Sequence, residues 1–225
     1  RKAQPCEAAY LLRGREKRMA SKSIAVAAAF GFVFALVTAF TGDRSGAVIA
    51  RTQPMKLAAM EALYEGSEGA PLTVVGVLQS EEKRSAGETF HFRIDIPKLL
   101  SIMSFRDAEA YVAGINDLIE GNAGRGILSA EEKIARGRAV VATLDRYRTA
   151  RDEGDEGTMR QIEELFDPDT AQGEHFLREY FAYFGYGYLD APQDIVPDVP
   201  LLFYSFRVMV GAGCFFILLL GIHYK

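Results

Sequence analysis

Cysteine and histidine are scarce in this sequence of 225 residues. The two cysteines, Cys6 and Cys214, stand near the two ends, and the long segment 43–198 contains none. The three histidines are far apart in sequence: His91, His175 and His223. The sequence therefore predicts neither a disulfide-stapled module nor a zinc site built from clustered cysteines and histidines.

Other functional signatures are missing as well. The sequence has no glycine-rich loop for cradling a phosphate, no nucleophile triad and no internal repeat. Segment 43–198 carries 28 acidic and 17 basic residues, a net charge of −11. Because nucleic-acid binding depends on neutralising phosphates with basic side chains, nucleic acid is not expected as a partner.

Two long apolar runs are the dominant positive feature. Residues 24–41 contain no charged side chain, and with Ser23 and Gly42 they form a predicted span over residues 23–42. Residues 199–222 form a second run of 24 residues. At about 1.5 Å of rise per residue, each run is long enough to cross a bilayer as a helix.

Arg207 is the only charged residue in the second run. A cation inside a spanning helix costs about 2.5 kcal/mol or more unless it finds a partner or reaches the interface. Met209, two residues later, carries a thioether that can pack against apolar groups or ligate a haem iron. The alternative is that Arg207 snorkels to the interface and Met209 only faces lipid.

The charges around the first run predict an orientation. Seven basic and two acidic residues precede it, and this excess of basic residues favours the cytoplasm. We therefore expect five parts: a cytoplasmic connector 1–22, a span 23–42, an extracytoplasmic segment 43–198, a span 199–222 and a cytoplasmic end 223–225. The sequence begins with arginine and lacks a signal-peptide layout, so we expect an internal piece of a longer polytopic protein.

The predicted fold class is a membrane protein of helices, with a mainly helical segment between two spans and a small β-hairpin. Glycine, aspartate and serine predict a tight turn at 42–46, directly after the first span. Alternating apolar residues predict strands over 71–79 and 89–97, with Phe90, Phe92, Ile94 and Ile96 on one face. His91 then lies on the polar face, where we do not expect it to be a ligand.

Helix signals occupy most of the rest of the segment. Pro54 predicts the start of a helix over 54–65, which carries Lys56 and Glu61 about 140° apart around its axis. Ser129 and Glu132 form a capping box, and the helix that they open is expected to end at Gly154. Further helices are predicted over 158–166 and 171–184.

Four stretches together resemble subunit I of the cytochrome bd-type ubiquinol oxidases. They are GDRSGAVIARTQPMKLAAMEALYEG at 42–66, PLLFYSFRVMVGAG at 200–213, LLRGRE at 11–16 and YVAGINDLIEGN at 111–122. The KLAAMEA core and the F-R-x-M core are specific when they occur together in this order. Tyr64 is a departure, since tryptophan is expected there more often.

The resemblance implies roles for four residues. Lys56 and Glu61 would take part in quinol oxidation, Met209 would be an axial ligand of the low-spin haem b, and Arg207 would lie beside that haem. A haem propionate would be a suitable partner for Arg207. The substrate would be ubiquinol or menaquinol, and segment 43–198 would be the periplasmic quinol-binding loop.

The resemblance also implies what lies outside this sequence. The haem-ligating histidines of the family precede it, and the high-spin haem b and haem d belong to the complete subunit. The implied partners are the remainder of subunit I, oxidase subunit II, quinol and the bilayer of the bacterial inner membrane. A two-span sensory receptor with a periplasmic ligand domain and a non-functional remnant of an oxidase gene remain as alternatives.

Overall fold

Two long helices form the frame of the protein. The computed structural model describes residues 5–85 and 87–223, so the outermost residues of the predicted connector and of the cytoplasmic end lie outside the described part. Helix α1 spans Pro5–Thr52 and α9 spans Val199–His223. Segments Ser21–Thr52 and Pro192–Ile222 are long and apolar enough to cross a membrane, which agrees with the two predicted spans.

Helices α1 and α9 pack side by side. A Cβ atom added at Gly31 would lie 3.0 Å from the Leu220 side chain, and one added at Gly221 would lie 3.3 Å from Phe32. Glycine at both positions lets the helices approach closely, as small residues do in membrane helix pairs. Their other faces expose large apolar side chains, among them Phe34 and Val208, as expected for surfaces that meet lipid or further helices.

The predicted turn at 42–46 is wrong, because α1 continues without interruption to Thr52. Glycine lowers helix stability by only about 1 kcal/mol relative to alanine, so contacts with neighbouring elements can override it. Here α1 packs against α4, which spans Leu99–Phe105. Arg106, just after α4, forms an ion pair with Asp43 in the middle of the predicted turn.

The predicted hairpin is confirmed as strands β2, Leu72–Leu78, and β3, Phe90–Ile96. The pairing is antiparallel, with Val75 opposite Ile94 and Val77 opposite Phe92. The register shifts between Val77 and Leu78, where Leu78 pairs with Phe90. The bulge turns Phe90 inward against the core, whereas Phe92 stays 56% exposed, so the predicted common face of these two residues is wrong.

Short elements connect the hairpin to the rest of the segment. They are α2, Pro54–Glu61; β1, Ser67–Glu68; α3, Glu81–Ser85; β4, Tyr111–Val112; α5, Ile115–Glu120; and a 3-10 helix, Ala123–Arg125. Strand β1 pairs with β4 in antiparallel fashion. The pairing brings the chain after α2 against the chain before α5.

Helix α6, Ala130–Glu153, has the bounds that its capping signals predict. The Ser129 side chain accepts from the Glu132 N–H, the Glu132 carboxylate accepts from the Ser129 N–H, and Gly154 ends the helix at φ 76°. Two further helices follow: α7, Glu156–Leu165, and α8, Ala171–Glu179. The chain then forms 3-10 helices, Phe181–Tyr188 and Pro192–Ile195, so α8 is shorter than predicted.

One buried cluster joins the start of α9 to the elements around α2. It contains Met55, Ala58, Ala59, Ala62, Tyr64, Leu78, Ile115, Leu118, Val199 and Phe203. Phe203 is completely buried and stacks at a tilt on Phe90, with 5.5 Å between the ring centroids. The cluster fixes α2 against the spanning helix that carries Arg207.

Candidate functional site

Glu61 is the last residue of α2. Pro54 begins this helix, and Ala62 ends it by adopting the left-handed conformation, with φ 49°. The helix therefore ends four residues before the predicted position, Glu65. The N–H groups of Ile115 and Asn116 then bond to the carbonyl oxygens of the two residues after Ala62, at 2.9 and 3.0 Å. These hydrogen bonds fix the chain just after α2, where the backbone no longer forms helical hydrogen bonds.

Glu61 and Arg207 form a buried ion pair. Glu61 Oε2 accepts from Arg207 Nη2 at 2.6 Å, with side-chain exposures of 3% and 14%. The same guanidinium donates to the carbonyl oxygen of Met60 and, at 2.8 Å, to that of Thr73. Arg207 thus connects α9 to α2 and β2. The resemblance suggested a haem propionate as the partner of Arg207, and the structure provides a carboxylate partner within the chain, at Glu61.

The rest of the Arg207 side chain lies against aromatic rings. The guanidinium carbon is 3.8 Å from the centroid of the Phe203 ring, a distance at which the cation is attracted to the ring face. Its Nε atom is buried and has no hydrogen-bond partner in the described part of the chain. One N–H donor of this cation is therefore left for a group outside these residues.

Burial raises the pKa of Glu61 from its ordinary value of 4.5 to about 7, although the Arg207 guanidinium acts to lower it. A carboxyl group with a pKa near 7 can both take up and release a proton at neutral pH. Glu61 is therefore suited to proton transfer at neutral pH, whereas an ordinary surface glutamate is ionised at this pH.

The other two predicted site residues are on the surface. Lys56 is exposed, whereas Glu61 on the same helix is buried, so the structure does not bring them together. Met209 is 62% exposed and lies about 200° around α9 from Arg207. The structure thus joins Glu61 to Arg207 and leaves Lys56 and Met209 open to groups outside the described residues.

A cavity of about 170 Å³ opens beside Glu61. It lies between the end of α2 and the β2–β3 hairpin, and its polar lining includes Tyr64, Thr73 and Arg93. Asp95 fixes two of these lining residues, because it accepts from Thr73 Oγ1 at 2.9 Å and forms an ion pair with Arg93 Nε at 3.0 Å.

Asp117 fixes the chain that follows α2. Its Oδ2 accepts from Tyr111 Oη at 2.7 Å and from the Gly114 N–H at 3.0 Å, and its Oδ1 accepts from Asn122 Nδ2 at 2.9 Å. Burial would raise the pKa of Asp117, but these hydrogen bonds outweigh it and hold that pKa below its usual range. The segment 111–122, noted in the sequence only for its resemblance, thereby acts as a clamp.

Two further residues at the site were not found from the sequence. Arg84, in the charged linker, is buried and donates from Nε to Tyr64 Oη at 3.1 Å. Tyr204 Oη accepts from the Leu78 N–H at 3.0 Å, which links α9 to the hairpin. A charged linker gives no signal of burial, and a tyrosine in an apolar run resembles an interfacial anchor.

Comparison with known proteins identifies the family. The sequence profile described as "Cytochrome bd terminal oxidase subunit I" matches residues 5–224. The chain belongs to this family. It is 31% identical over 217 residues to cytochrome bd-II ubiquinol oxidase subunit 1 of Escherichia coli (strain K12), covering 94% of this chain and 39% of that protein.

Two further matches are a second oxidase subunit sequence and a solved structure. A putative cytochrome bd menaquinol oxidase subunit I of Bacillus subtilis (strain 168) is 33% identical over 114 residues, 48% of this chain and 25% of that protein. A bd oxidase structure from Geobacillus thermodenitrificans aligns with a TM-score of 0.35 and 21% identity, covering 86% of this chain and 48% of that chain. The chain spans about two fifths of the length of the E. coli relative.

The cytochrome bd family implies haem, and the residues present fit part of a haem site. Met209 presents an exposed thioether, which is a suitable axial ligand for a haem iron. The unpartnered Nε of Arg207 is a donor suited to a propionate, while its other nitrogens already bond within the chain. His91 and His175 lie in segment 43–198 rather than on either long helix, and His223 is the last residue of α9.

Proposed function

We propose that this chain is the quinol-oxidising part of a terminal oxidase that passes electrons from quinol to haem and reduces oxygen to water. Membership of the cytochrome bd subunit I family supports an oxidase. The observation that carries the assignment of quinol oxidation is the buried Glu61–Arg207 pair, which places a carboxyl group with a pKa of about 7 beside a cavity. Family membership favours this function over the two-span receptor.

Glu61 is assigned to proton transfer. Oxidation of one quinol releases two electrons and two protons, so the site needs a group that accepts a proton from a ring hydroxyl. Arg207 occupies Oε2 of Glu61, which leaves Oε1 to accept from a ligand in the cavity. Lys56 presents an exposed ammonium that can donate to a quinol oxygen from the surface of α2.

Met209 and Arg207 are assigned to the low-spin haem b. When bound, such a haem would supply one-electron redox chemistry to the site. Met209 would ligate its iron and Arg207 Nε would contact a propionate, and the remainder of subunit I would supply the other protein ligand. The high-spin haem b and haem d would also lie in the complete subunit, and oxidase subunit II would complete the enzyme.

The proposed location is the bacterial inner membrane, with segment 43–198 on the periplasmic side. The two apolar helices support membrane insertion, and the excess of basic residues before α1 supports this orientation. The parts proposed from the sequence are retained: 1–22 and 223–225 cytoplasmic, 23–42 and 199–222 spanning. Ubiquinol and menaquinol are both candidate substrates.

The decisive test replaces Glu61 with glutamine in the membrane-embedded oxidase that contains this chain. Glutamine keeps an oxygen that can accept from Arg207 but cannot take up a proton. We expect kcat/KM for quinol to fall about 100-fold or more, the usual contribution of a general base, with oxygen reduction from an artificial electron donor unchanged. Glu174→Gln, at an exposed position of α8, is the matched control. Unchanged quinol turnover in Glu61→Gln would refute the proposed function.

A further inference from the structure

The cavity beside Glu61 is large enough for one aromatic ring. Its volume is about 170 Å³, and a cavity of about 150 Å³ accommodates a benzene molecule. Phe90 provides an apolar wall, and Tyr64 and Glu61 provide polar groups. This inference rests on the proposed function. The cavity would hold the ring of a quinol, and the apolar tail of the quinol would extend outward, since the volume leaves no room for both.

Tyr64 is a buried phenol with an unused hydrogen. It is 9% exposed, and its oxygen accepts from Nε of Arg84 at 3.1 Å. Among the backbone atoms of residues 5–85 and 87–223 and the side chains that the structure describes, no oxygen or nitrogen accepts a hydrogen bond from this hydroxyl. Because the oxygen already receives a hydrogen from Arg84, its own O–H must point elsewhere, and Tyr64 lines the cavity.

Arg84 is held so that it can fix the phenol. It is 7% exposed, and its Nη1 donates to the carbonyl oxygen of Gln79 at 3.0 Å, at the end of β2. The guanidinium is rigid and planar, so the bond at Nη1 also restricts the direction in which Nε donates. The α3 segment thus fixes the position of the Tyr64 oxygen through Arg84.

We propose that Tyr64 donates a hydrogen bond to an oxygen of the quinol ring, and that Arg84 is the positioning residue that orients the phenol for this bond. Glu61 Oε1 accepts a hydrogen from a hydroxyl group of the same ring, so Tyr64 and Glu61 contact the quinol as one donor and one acceptor. A ring oxygen becomes a better acceptor as it loses its proton, which strengthens the bond from Tyr64 during oxidation. Specificity follows, because a ring without an oxygen within reach of Tyr64 leaves the buried phenol unpaired.

The test is Tyr64→Phe in the membrane-embedded oxidase, since this change removes only the hydroxyl. We expect kcat/KM for quinol to fall about tenfold, the effect of one hydrogen bond, with oxygen reduction from an artificial donor unchanged. Tyr147→Phe is the matched control, because the Tyr147 hydroxyl bonds to Glu163 between α6 and α7, away from the cavity lining. It should keep the kcat and KM of the unaltered oxidase.

Arg84 is tested through the same kinetics. Arg84→Met removes both donors and should lower kcat/KM for quinol by about the same factor as Tyr64→Phe. The double variant should lose no more than Tyr64→Phe alone, because Arg84 acts through the phenol. Arg84→Lys keeps a cationic donor and should recover part of the loss. Additive losses in the double variant would overturn the positioning role.

Two results would overturn the role of Tyr64. One is unchanged quinol kinetics in Tyr64→Phe, and the other is an equal loss with the artificial donor, which would show a structural defect. Glu61→Gln, assayed in parallel, separates this inference from the proposed function. If Glu61→Gln loses quinol turnover and Tyr64→Phe does not, only the inference about Tyr64 fails; if Glu61→Gln keeps it, the proposed function fails.

Discussion

Glu61 and Arg207 lie 146 residues apart in the sequence, and their side chains form an ion pair with 2.6 Å between Oε2 and Nη2. One belongs to α2 and the other to the long apolar helix α9, so the pair connects segment 43–198 to a spanning helix. A buried pair of this kind contributes little net stability, but the loss of one partner leaves the other charge without compensation. The position of α2 against α9 therefore depends on both residues.

Arg207→Gln should lower the free energy of unfolding by about 3–5 kcal/mol at a pH above 7, where Glu61 is ionised. In Glu61→Gln/Arg207→Gln the total loss should be smaller than the sum of the losses in Glu61→Gln and Arg207→Gln alone, because no buried charge remains. Denaturation of the purified chain in detergent, followed by circular dichroism, measures both. Arg148→Gln, at a side chain 63% exposed, is the control. Additive losses would contradict the coupling.

The raised pKa of Glu61 predicts how stability depends on pH. Between pH 4.5 and about 7 the folded protein binds this proton more tightly than the unfolded chain, so the free energy of unfolding should fall as pH rises through this window. A shift of this size corresponds to about 3 kcal/mol, and Glu61 should add no further change above pH 7. Denaturation curves across this range measure the slope. The slope should be absent in Glu61→Gln, and an unchanged slope there would assign it to another group.

Local signals predicted much of the fold, because they depend on neighbours in the sequence. The cap at Ser129, the end at Gly154 and the hairpin follow from residue types over short spans. The uninterrupted α1 could not be predicted, since the contact that supports it joins Asp43 to Arg106. The sequence likewise showed that Arg207 needs a partner, but it did not show that the chain itself supplies one at Glu61.

Gly114 allows the clamp to contact the chain after α2. A Cβ atom at this position would lie 2.4 Å from the carbonyl oxygen of Tyr64, and that backbone cannot move without disturbing the cavity. Gly114→Ala should therefore lower the free energy of unfolding by about 1–3 kcal/mol. Gly124→Ala is the matched control, since its nearest neighbour, the Asn122 side chain, lies 3.5 Å from the added atom. Equal losses from both changes would contradict the prediction.

Met209→Leu tests the proposed haem ligand in the membrane-embedded oxidase. Leucine has a similar volume but no sulfur, and position 209 is 62% exposed, so the fold should be preserved. The reduced-minus-oxidised spectrum of the low-spin haem should change, because the proposed thioether ligand would be absent. Met159→Leu, on α7, should leave the spectrum unchanged. If Met209→Leu also leaves it unchanged, Met209 does not ligate the haem.

The proposed orientation places the two ends of the described chain on one side of the membrane and α6 on the other. It can be tested after Cys6 and Cys214 are replaced with serine. A new cysteine in Glu153→Cys, at the exposed end of α6, should react with an impermeant thiol reagent added to the periplasmic side. Lys17→Cys, an exposed position near the start of α1, should react only from the cytoplasmic side, because the apolar part of α1 lies between them. Reaction of both cysteines from the same side would contradict the two-span arrangement, and reaction of each from the opposite side would reverse the orientation.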